Sequence, residues 1–188
     1  MDVVDKKSKR NQFVFVFDLD NTLVKTNQAN NNAYKDAVRK ITGKDISMNT
    51  SRFTRSDLRT CLPDLPMIEY DAIIKLKEEL YVKQLHKTKL NEQLFKILTL
   101  IRESGNETIL LTECSKTRAK QVCDYHSLTS FFNRLYFKED YENGNKYQFL
   151  MASFLPFSSV VLFENEQEEI GRAIQHGLHQ NQIITIKF

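Results

Sequence analysis

The fold of this protein is decided by residues 13–23, which read FVFVFDLDNTL. The first five form an unbroken run of aromatic and β-branched side chains, which is typical of a strand covered on both faces of a parallel sheet. Asp18 and Asp20 follow at positions i and i+2, so an extended backbone directs both carboxylates to the same side. Because ligands bind at the carboxyl ends of strands in open α/β sheets, these two acids form a candidate site for a divalent cation.

Four further segments predict strands of the same sheet. Apolar runs lie at residues 108–111, 160–163 and 183–186, with a weaker one at 135–137. Helical patterns separate several of them, over residues 115–126 and 166–176. This alternation of strand and helix predicts an α/β fold with a doubly wound parallel sheet.

Residues 26–91 break the alternation, because they contain several amphipathic helical segments and no buried-strand run. Residues 27–32 are rich in Asn and predict a hinge and N-cap before a first helix. A second helix is predicted over residues 71–87, and a third, over 91–103, returns the chain to the sheet. We therefore predict a helical insert at 26–91 and a discontinuous core of residues 1–25 and 92–188, in which 1–12 form a basic tail.

The composition excludes several classes of protein. With 188 residues, 41% of them hydrophobic and 27% charged, the chain can bury a sizeable core and is not disordered throughout. It contains no apolar stretch of roughly 18 residues and no secretory leader, which predicts a cytoplasmic protein without a membrane span. The three cysteines exclude a disulfide framework, and a net charge of +3 is too small to indicate nucleic-acid binding. Composition leaves the oligomeric state open.

Residues 17–23 resemble the first motif, DxDxT, of the haloacid dehalogenase-like hydrolase superfamily. Three later positions resemble its other motifs in the same order. Thr112 ends the predicted strand at 108–111, Lys146 precedes a helix, and residues 163–170 lie where the acidic fourth motif belongs. The resemblance covers residues 13–188 and implies a Rossmann-like core with an inserted helical cap.

The resemblance also implies roles for these side chains. Asp18 would attack phosphorus to form an aspartyl-phosphate, and Asp20 would serve first as the acid and then as the base. Thr112 would hold a phosphoryl oxygen, while Lys146 would offset negative charge. The family binds Mg²⁺ through the side chain at the Asp18 position, the backbone carbonyl at the Asp20 position and an acid of the fourth motif.

The fourth motif departs from the family pattern. Counting back from Gly177 places Asn165 and Glu169 where the family usually has two Asp residues. An Asn carbonyl oxygen can bind Mg²⁺ but supplies no negative charge, so weaker metal binding or diminished activity is expected. A shift of one residue would offer Glu164 or Glu166 instead.

The insert occupies the position of the cap in the family's branch of phosphoglycolate phosphatase-like and phosphoglucomutase-like members. Residues 52–59 resemble a cap segment that reaches towards substrate in phosphoglycolate phosphatase-like members. If this segment is helical, Arg52, Arg55 and Arg59 share one face and are candidate ligands for a substrate carboxylate or second phosphate.

The resemblance implies a Mg²⁺-dependent phosphatase that acts on a small phosphorylated metabolite. Three alternatives stay open at this point. Asn165 motivates a weak or inactive relative that binds a phosphorylated ligand or a protein partner. A phosphosugar mutase would return the phosphoryl group from Asp18 to its substrate, and a phosphonatase would need a Schiff-base lysine among the eight lysines of the insert.

Overall fold

A computed structural model describes residues 13–48, 50–141, 145–153 and 159–188. The predicted basic tail lies outside these residues. The strands of the described part are β1 (Val14–Phe17), β2 (Val24–Lys25), β3 (Lys89–Leu90), β4 (Glu107–Leu111), β5 (Arg134–Tyr136), β6 (Val160–Glu164) and β7 (Ile183–Thr185). Its α-helices are α1 (Asn27–Thr42), α2 (Arg55–Cys61), α3 (Met67–Tyr81), α4 (Glu92–Glu103), α5 (Lys116–Tyr125), α6 (Lys146–Ser153) and α7 (Gln167–Gln175). None of these helices is long and apolar enough to cross a membrane.

The core of the fold is a five-stranded parallel sheet in the order β5-β4-β1-β6-β7. All five predicted strands are confirmed. The central strand is β1, where Phe17 pairs with Leu110 of β4 and with Phe163 of β6. This register brings the residues that follow β1, β4 and β6 to one edge of the sheet.

Helices cover both faces of the sheet, as the unbroken apolar strands predict. One face packs against α4 and α5, with Leu98 and Val122 fully buried. The other face packs against α6 and α7, through Leu150 and Ala173. The doubly wound architecture predicted from the sequence is therefore confirmed.

The helices of the insert form a third apolar cluster of their own. Its members come from α1, the loop before α2, α2 and α3, and include Tyr34, Phe53, Leu58, Tyr70 and Ile73. At the base of the insert, β2 and β3 pair as a short antiparallel ribbon, with Val24 opposite Leu90. The sequence did not predict this ribbon, because two-residue strands carry no periodic pattern.

Two details of the predicted insert are wrong. The helix expected over residues 71–87 is α3, which begins at Met67 because Pro66 supplies the N-cap and its carbonyl accepts the Tyr70 N–H at 3.0 Å. It ends at Tyr81, and Val82–Lys87 tighten into a 3-10 helix. The Asn-rich residues 27–32 are not a hinge, since they form the beginning of α1.

Two leucines on α4 test the packing of this helix on the sheet. We expect Leu98→Ala to lower the free energy of unfolding by about 2–5 kcal/mol, since Leu98 is fully buried in the core and its truncation leaves a cavity. Leu100→Ala is the matched control, because this side chain is 63% exposed. Urea unfolding of both variants measures the difference, and equal losses would contradict the packing described.

Candidate active site

A cavity of about 190 Å³ lies at the carboxyl edge of the sheet. Its lining includes Asp18 and Asp20 after β1, Thr112 after β4, Lys146 at the start of α6 and Glu164 at the end of β6. A larger cavity, of about 390 Å³, lies at the far end of α1 and contains none of these residues. We place the candidate active site in the smaller cavity, because the charged side chains converge there.

Asp18 lies at the buried end of this cavity with both carboxylate oxygens in contact with the protein. Thr22 donates its hydroxyl to Asp18 Oδ2 at 3.0 Å, and Lys146 Nζ lies 3.4 Å from Oδ1. Burial and the neighbouring carboxylate of Glu164 raise the pKa of Asp18 well above its ordinary value. The Asp18 side chain therefore lies where additional positive charge stabilises its ionised form.

Lys146 is the centre of a buried cluster of charges. Its Nζ lies 2.9 Å from Glu164 Oε2 and 3.3 Å from Glu169 Oε2, in addition to the contact with Asp18. Burial alone would lower the pKa of Lys146, but Asp18 and Glu164 outweigh it and raise the pKa well above its ordinary value. Lys146 is therefore a permanent cation that holds three acids together.

Glu164 is a member of the site that the sequence offered only as an alternative. Besides Lys146, its Oε2 accepts the Tyr147 hydroxyl at 2.8 Å, and its Oε1 accepts the backbone N–H groups of Asn165 and Glu166. The sequence could not distinguish it, because residues 164–169 contain four glutamates. Which of them faces the cavity depends on where β6 ends. Both carboxylate oxygens of Glu164 are therefore occupied, and Glu164 positions Lys146.

Asp20 is held by groups from both the core and the insert. Thr26 donates to its Oδ1 at 2.6 Å, while Arg52 Nη2 and Arg118 Nη2 both donate to Oδ2, at 3.0 Å and 2.8 Å. Burial alone would raise the pKa of Asp20, but the two guanidinium groups outweigh it and hold the pKa well below its ordinary value. Asp20 is consequently ionised in this arrangement.

The loop before α2 places Arg52 over the site, and asparagines of α1 hold that loop. Asn30 donates to the Phe53 carbonyl at 2.8 Å, and the Phe53 N–H donates to the Asn31 side chain at 2.8 Å. Phe53 is buried and packs edge-to-face against Tyr34. The Asn-rich start of α1 therefore positions Arg52 relative to Asp20.

The three predicted arginines of the insert do not form one row. Helix α2 begins at Arg55, so Arg52 precedes it and reaches the cavity from the loop. Arg55 and Arg59 are exposed and do not line the cavity, and the Arg59 guanidinium lies over the ring of Tyr70 at 4.7 Å. Of the three, Arg52 alone reaches this site.

Arg118 is a site residue that the sequence analysis missed. It extends from the first turn of α5, where its Nε donates to Cys114 Sγ at 2.8 Å. No sequence pattern distinguishes it, since neighbouring basic residues of the same helix are exposed. Burial raises the pKa of the Cys114 thiol to about 12, so this cysteine is not a nucleophile at neutral pH.

Thr112 lies at the end of β4 with its backbone fixed on both sides. Its N–H donates to the Tyr136 carbonyl at 3.1 Å, and its own carbonyl accepts the Tyr141 hydroxyl at 2.6 Å. The Thr112 hydroxyl oxygen accepts the Cys114 N–H at 3.2 Å. No acceptor for the hydroxyl hydrogen is present among the described residues, so this hydrogen is available to a ligand oxygen.

Three of the four predicted metal ligands, Asp18, Asp20 and Asn165, lie close together. Thr22 Oγ1 contacts Asp18 and lies 2.8 Å from one terminal atom of the Asn165 side-chain amide. The same amide atom lies 3.1 Å from the Asp20 carbonyl oxygen and 3.3 Å from Glu164 Oε1. Because both of these oxygens only accept, the amide nitrogen fits this position and donates to them. The fourth predicted ligand, Glu169, contacts Lys146 and accepts from Arg172 at 2.7 Å instead.

These three donors fit a hard divalent cation in type, but only one of them carries a negative charge. Carboxylate, carbonyl and amide oxygens are the donors that Mg²⁺ prefers. Asp18 is the one carboxylate among the three gathered donors, and the described residues contain no cluster of three His, Cys, Asp or Glu side chains suited to a metal. The Asn165 amide must also turn its oxygen inward to act as a ligand.

Comparison with known proteins agrees with this architecture. The family model described as haloacid dehalogenase-like hydrolase matches residues 15–154, which include Asp18, Asp20, Thr112 and Lys146 and end before β6. A search of curated proteins gave no significant sequence match.

Three solved structures show the likeness in fold. A predicted phosphoglycolate phosphatase from Haemophilus somnus is 13% identical, with a TM-score of 0.80 over 94% of this chain and 86% of that chain. A haloacid dehalogenase-like family hydrolase from Streptococcus pneumoniae is 17% identical, with a TM-score of 0.73 over 94% and 85%. CbbY from Rhodobacter sphaeroides, solved in complex with phosphate, is 16% identical, with a TM-score of 0.70 over 94% and 87%. With a family model that matches most of its length, this chain belongs to the haloacid dehalogenase-like hydrolases.

Proposed function

We propose that this protein is a phosphatase that hydrolyses a small phosphomonoester through an aspartyl-phosphate on Asp18. The observation that carries the proposal is the convergence of Asp18, Thr112 and Lys146 on one small cavity, with Asp20 at its other side. Membership of a hydrolase family supports it. The similar fold of CbbY, which was solved with phosphate, supports a phosphate-binding cavity.

In the first step, a carboxylate oxygen of Asp18 attacks phosphorus and the bond to the leaving oxygen breaks. The Thr112 hydroxyl is available to donate to a phosphoryl oxygen, and Lys146 offsets the negative charge that accumulates. The leaving oxygen takes a proton from Asp20, whose carboxylate must first part from Arg52 or Arg118 and take up a proton, because these contacts keep it ionised. In the second step, Asp20 takes a proton from water, which attacks phosphorus and releases Asp18 and inorganic phosphate.

The charge of the cavity supports a requirement for a cation. Its lining contains six carboxylates, from Asp18, Asp20, Glu113, Glu164, Glu166 and Glu169, but only three cations, from Arg52, Arg118 and Lys146. A phosphate dianion would add to this excess of negative charge. We propose that Mg²⁺ is held by the Asp18 carboxylate, the Asp20 carbonyl and the Asn165 amide oxygen. When bound, it supplies positive charge that stabilises the developing negative charge of the phosphoryl group.

The three alternatives differ in what supports them. Asn165 supports a weak metal site, whereas the convergence of Asp18, Asp20 and Lys146 supports catalysis over binding alone. For a phosphonatase, Lys77 is the one buried lysine of the insert among the described residues, and burial lowers its pKa to about 8. Its Nζ is held by Glu78 at 3.0 Å and it does not line the cavity, so no observation favours an imine there. No observation favours a mutase over a hydrolase.

Substitution of Asn165 tests the proposed metal site independently of catalysis. We expect Asn165→Asp to tighten Mg²⁺ binding by about tenfold, because a charged oxygen replaces a neutral amide and no longer donates to the Asp20 carbonyl. Calorimetric titration with Mg²⁺ alone measures this affinity. Asn181→Asp adds the same charge at an exposed position and controls for net charge. Unchanged affinity in Asn165→Asp would contradict this ligand set.

The phosphatase proposal is tested by phosphate release from an aryl phosphate with and without Mg²⁺. We expect release that depends on Mg²⁺ and falls at least about a thousandfold in Asp18→Asn, since the amide keeps the shape but is no nucleophile. Asp71→Asn, at an exposed position of α3, should retain full activity. Equal release by the natural protein and Asp18→Asn would show that another group catalyses the reaction.

A further inference from the structure

The two chain segments that join the insert to the core carry lysines and no acids. These linkers are residues 21–28 and 82–91, and together they contain Lys25, Lys83, Lys87 and Lys89 but no Asp or Glu. All four lysines are exposed. Among the described residues, none of the four forms an ion pair with a carboxylate. The linkers therefore carry positive charge that the described part of the chain does not neutralise.

Two of these lysines lie directly opposite each other in the ribbon of β2 and β3, where Lys25 pairs with Lys89. Their neighbours Val24 and Leu90 pack against the core on the other face, so both lysines project to solvent on the same face. Residues directly opposite in an antiparallel pair have Cβ atoms roughly 4.5–5.5 Å apart, and like charges placed there destabilise the pair. The ribbon therefore presents two ammonium groups side by side.

The ribbon also connects the two linkers close to the candidate active site. Lys25 precedes Thr26, whose hydroxyl donates to Asp20 at 2.6 Å. Lys89 follows Thr88, which is buried. A ligand that contacts both lysines would therefore join the two linkers, one of which contacts the candidate active site.

The chemistry of the exposed face favours a compact ligand with adjacent phosphate groups. Lysine is a point charge that binds phosphate readily, and Lys87 adds a third positive charge on the linker that carries Lys89. With a net charge of only +3, the chain lacks the strong basic excess typical of nucleic-acid binding. The Phe188 ring lies 5.7 Å from Lys25 Nζ and is 48% exposed, which leaves an aromatic surface beside the lysines.

We propose that the ribbon of β2 and β3 binds a polyphosphate chain through Lys25 and Lys89, with Lys87 on the same linker. These lysines do not line the active-site cavity, and the proposal is independent of the phosphatase function. The bound anion would replace the repulsion between the two lysines by two attractive contacts. This chemistry is shared by inorganic polyphosphate and by the phosphate chain of a nucleotide.

Calorimetric titration of the full chain with tripolyphosphate tests this site. Mg²⁺ is omitted, because the excess of carboxylates in the active-site cavity then disfavours a polyanion there. At an ionic strength of about 0.15 M, we expect one saturable site whose affinity falls at least about tenfold in the double variant Lys25→Gln with Lys89→Gln. The double variant Lys35→Gln with Lys120→Gln removes the same charge at exposed positions of α1 and α5 and should leave the affinity unchanged.

Titration with ATP under the same conditions identifies the source of the phosphate chain. Tighter binding of ATP than of tripolyphosphate, with the gain lost in Phe188→Leu, would indicate a nucleotide whose base stacks on the Phe188 ring. Equal or weaker binding of ATP would indicate that the inorganic chain is the ligand.

Lys89→Glu provides an independent readout, because it should change stability and binding in opposite directions. Opposite charges across the ribbon stabilise it, so we expect the urea midpoint to rise by about 0.1–0.5 M while tripolyphosphate binding is lost. Lys120→Glu makes the same change of charge at an exposed position of α5 and should not raise the midpoint.

Three results would overturn the proposal. The first is an absence of saturable tripolyphosphate binding by the natural protein, and the second is equal affinity in the two double variants. The third is a urea midpoint that does not rise in Lys89→Glu, since the two lysines would then not repel each other. None of these measurements involves phosphate release, so their failure would leave the phosphatase proposal unaffected.

Discussion

The buried ammonium group of Lys146 is the contact on which the rest of the site depends. Three carboxylates lie within 3.4 Å of it, and they come from the residue after β1, from β6 and from α7. Buried charges are costly unless they are paired and hydrogen-bonded, so none of these groups is tolerated alone. Asp18 can be a buried carboxylate because Lys146 lies beside it, and Lys146 can be buried because Glu164 is satisfied by Tyr147 and two backbone N–H groups.

Asp20 has a corresponding role between the core and the insert. The Arg52 guanidinium arrives from a loop that Asn30 and Asn31 hold, and Arg118 arrives from a helix of the core. Both oxygens of the carboxylate are therefore occupied by protein donors. The proposed proton donation by Asp20 requires at least one of these donors to find another partner.

The parallel sheet was predictable because its strands are unbroken apolar runs, and Asp18 and Thr112 were predictable because each follows such a strand. Other features depend on tertiary contacts that no local pattern records. Arg118 lies on a helix whose other basic residues face solvent, and only the fold turns it towards Asp20. The prediction that Arg52, Arg55 and Arg59 share one helix face was wrong, because a Thr54–Asp57 capping box starts α2 after Arg52. The Asn-rich segment suggested a hinge, but its side chains bond to a distant loop and stabilise a helix.

The most direct test of this account is to capture the phosphoryl group on the protein. Brief incubation with acetyl phosphate and Mg²⁺, followed by acid quenching and borohydride reduction, converts an aspartyl-phosphate to homoserine, which peptide mass spectrometry locates. The account predicts homoserine at position 18 and none at position 20. Homoserine at another aspartate, or a protein that turns over substrate without any modified aspartate, would contradict it.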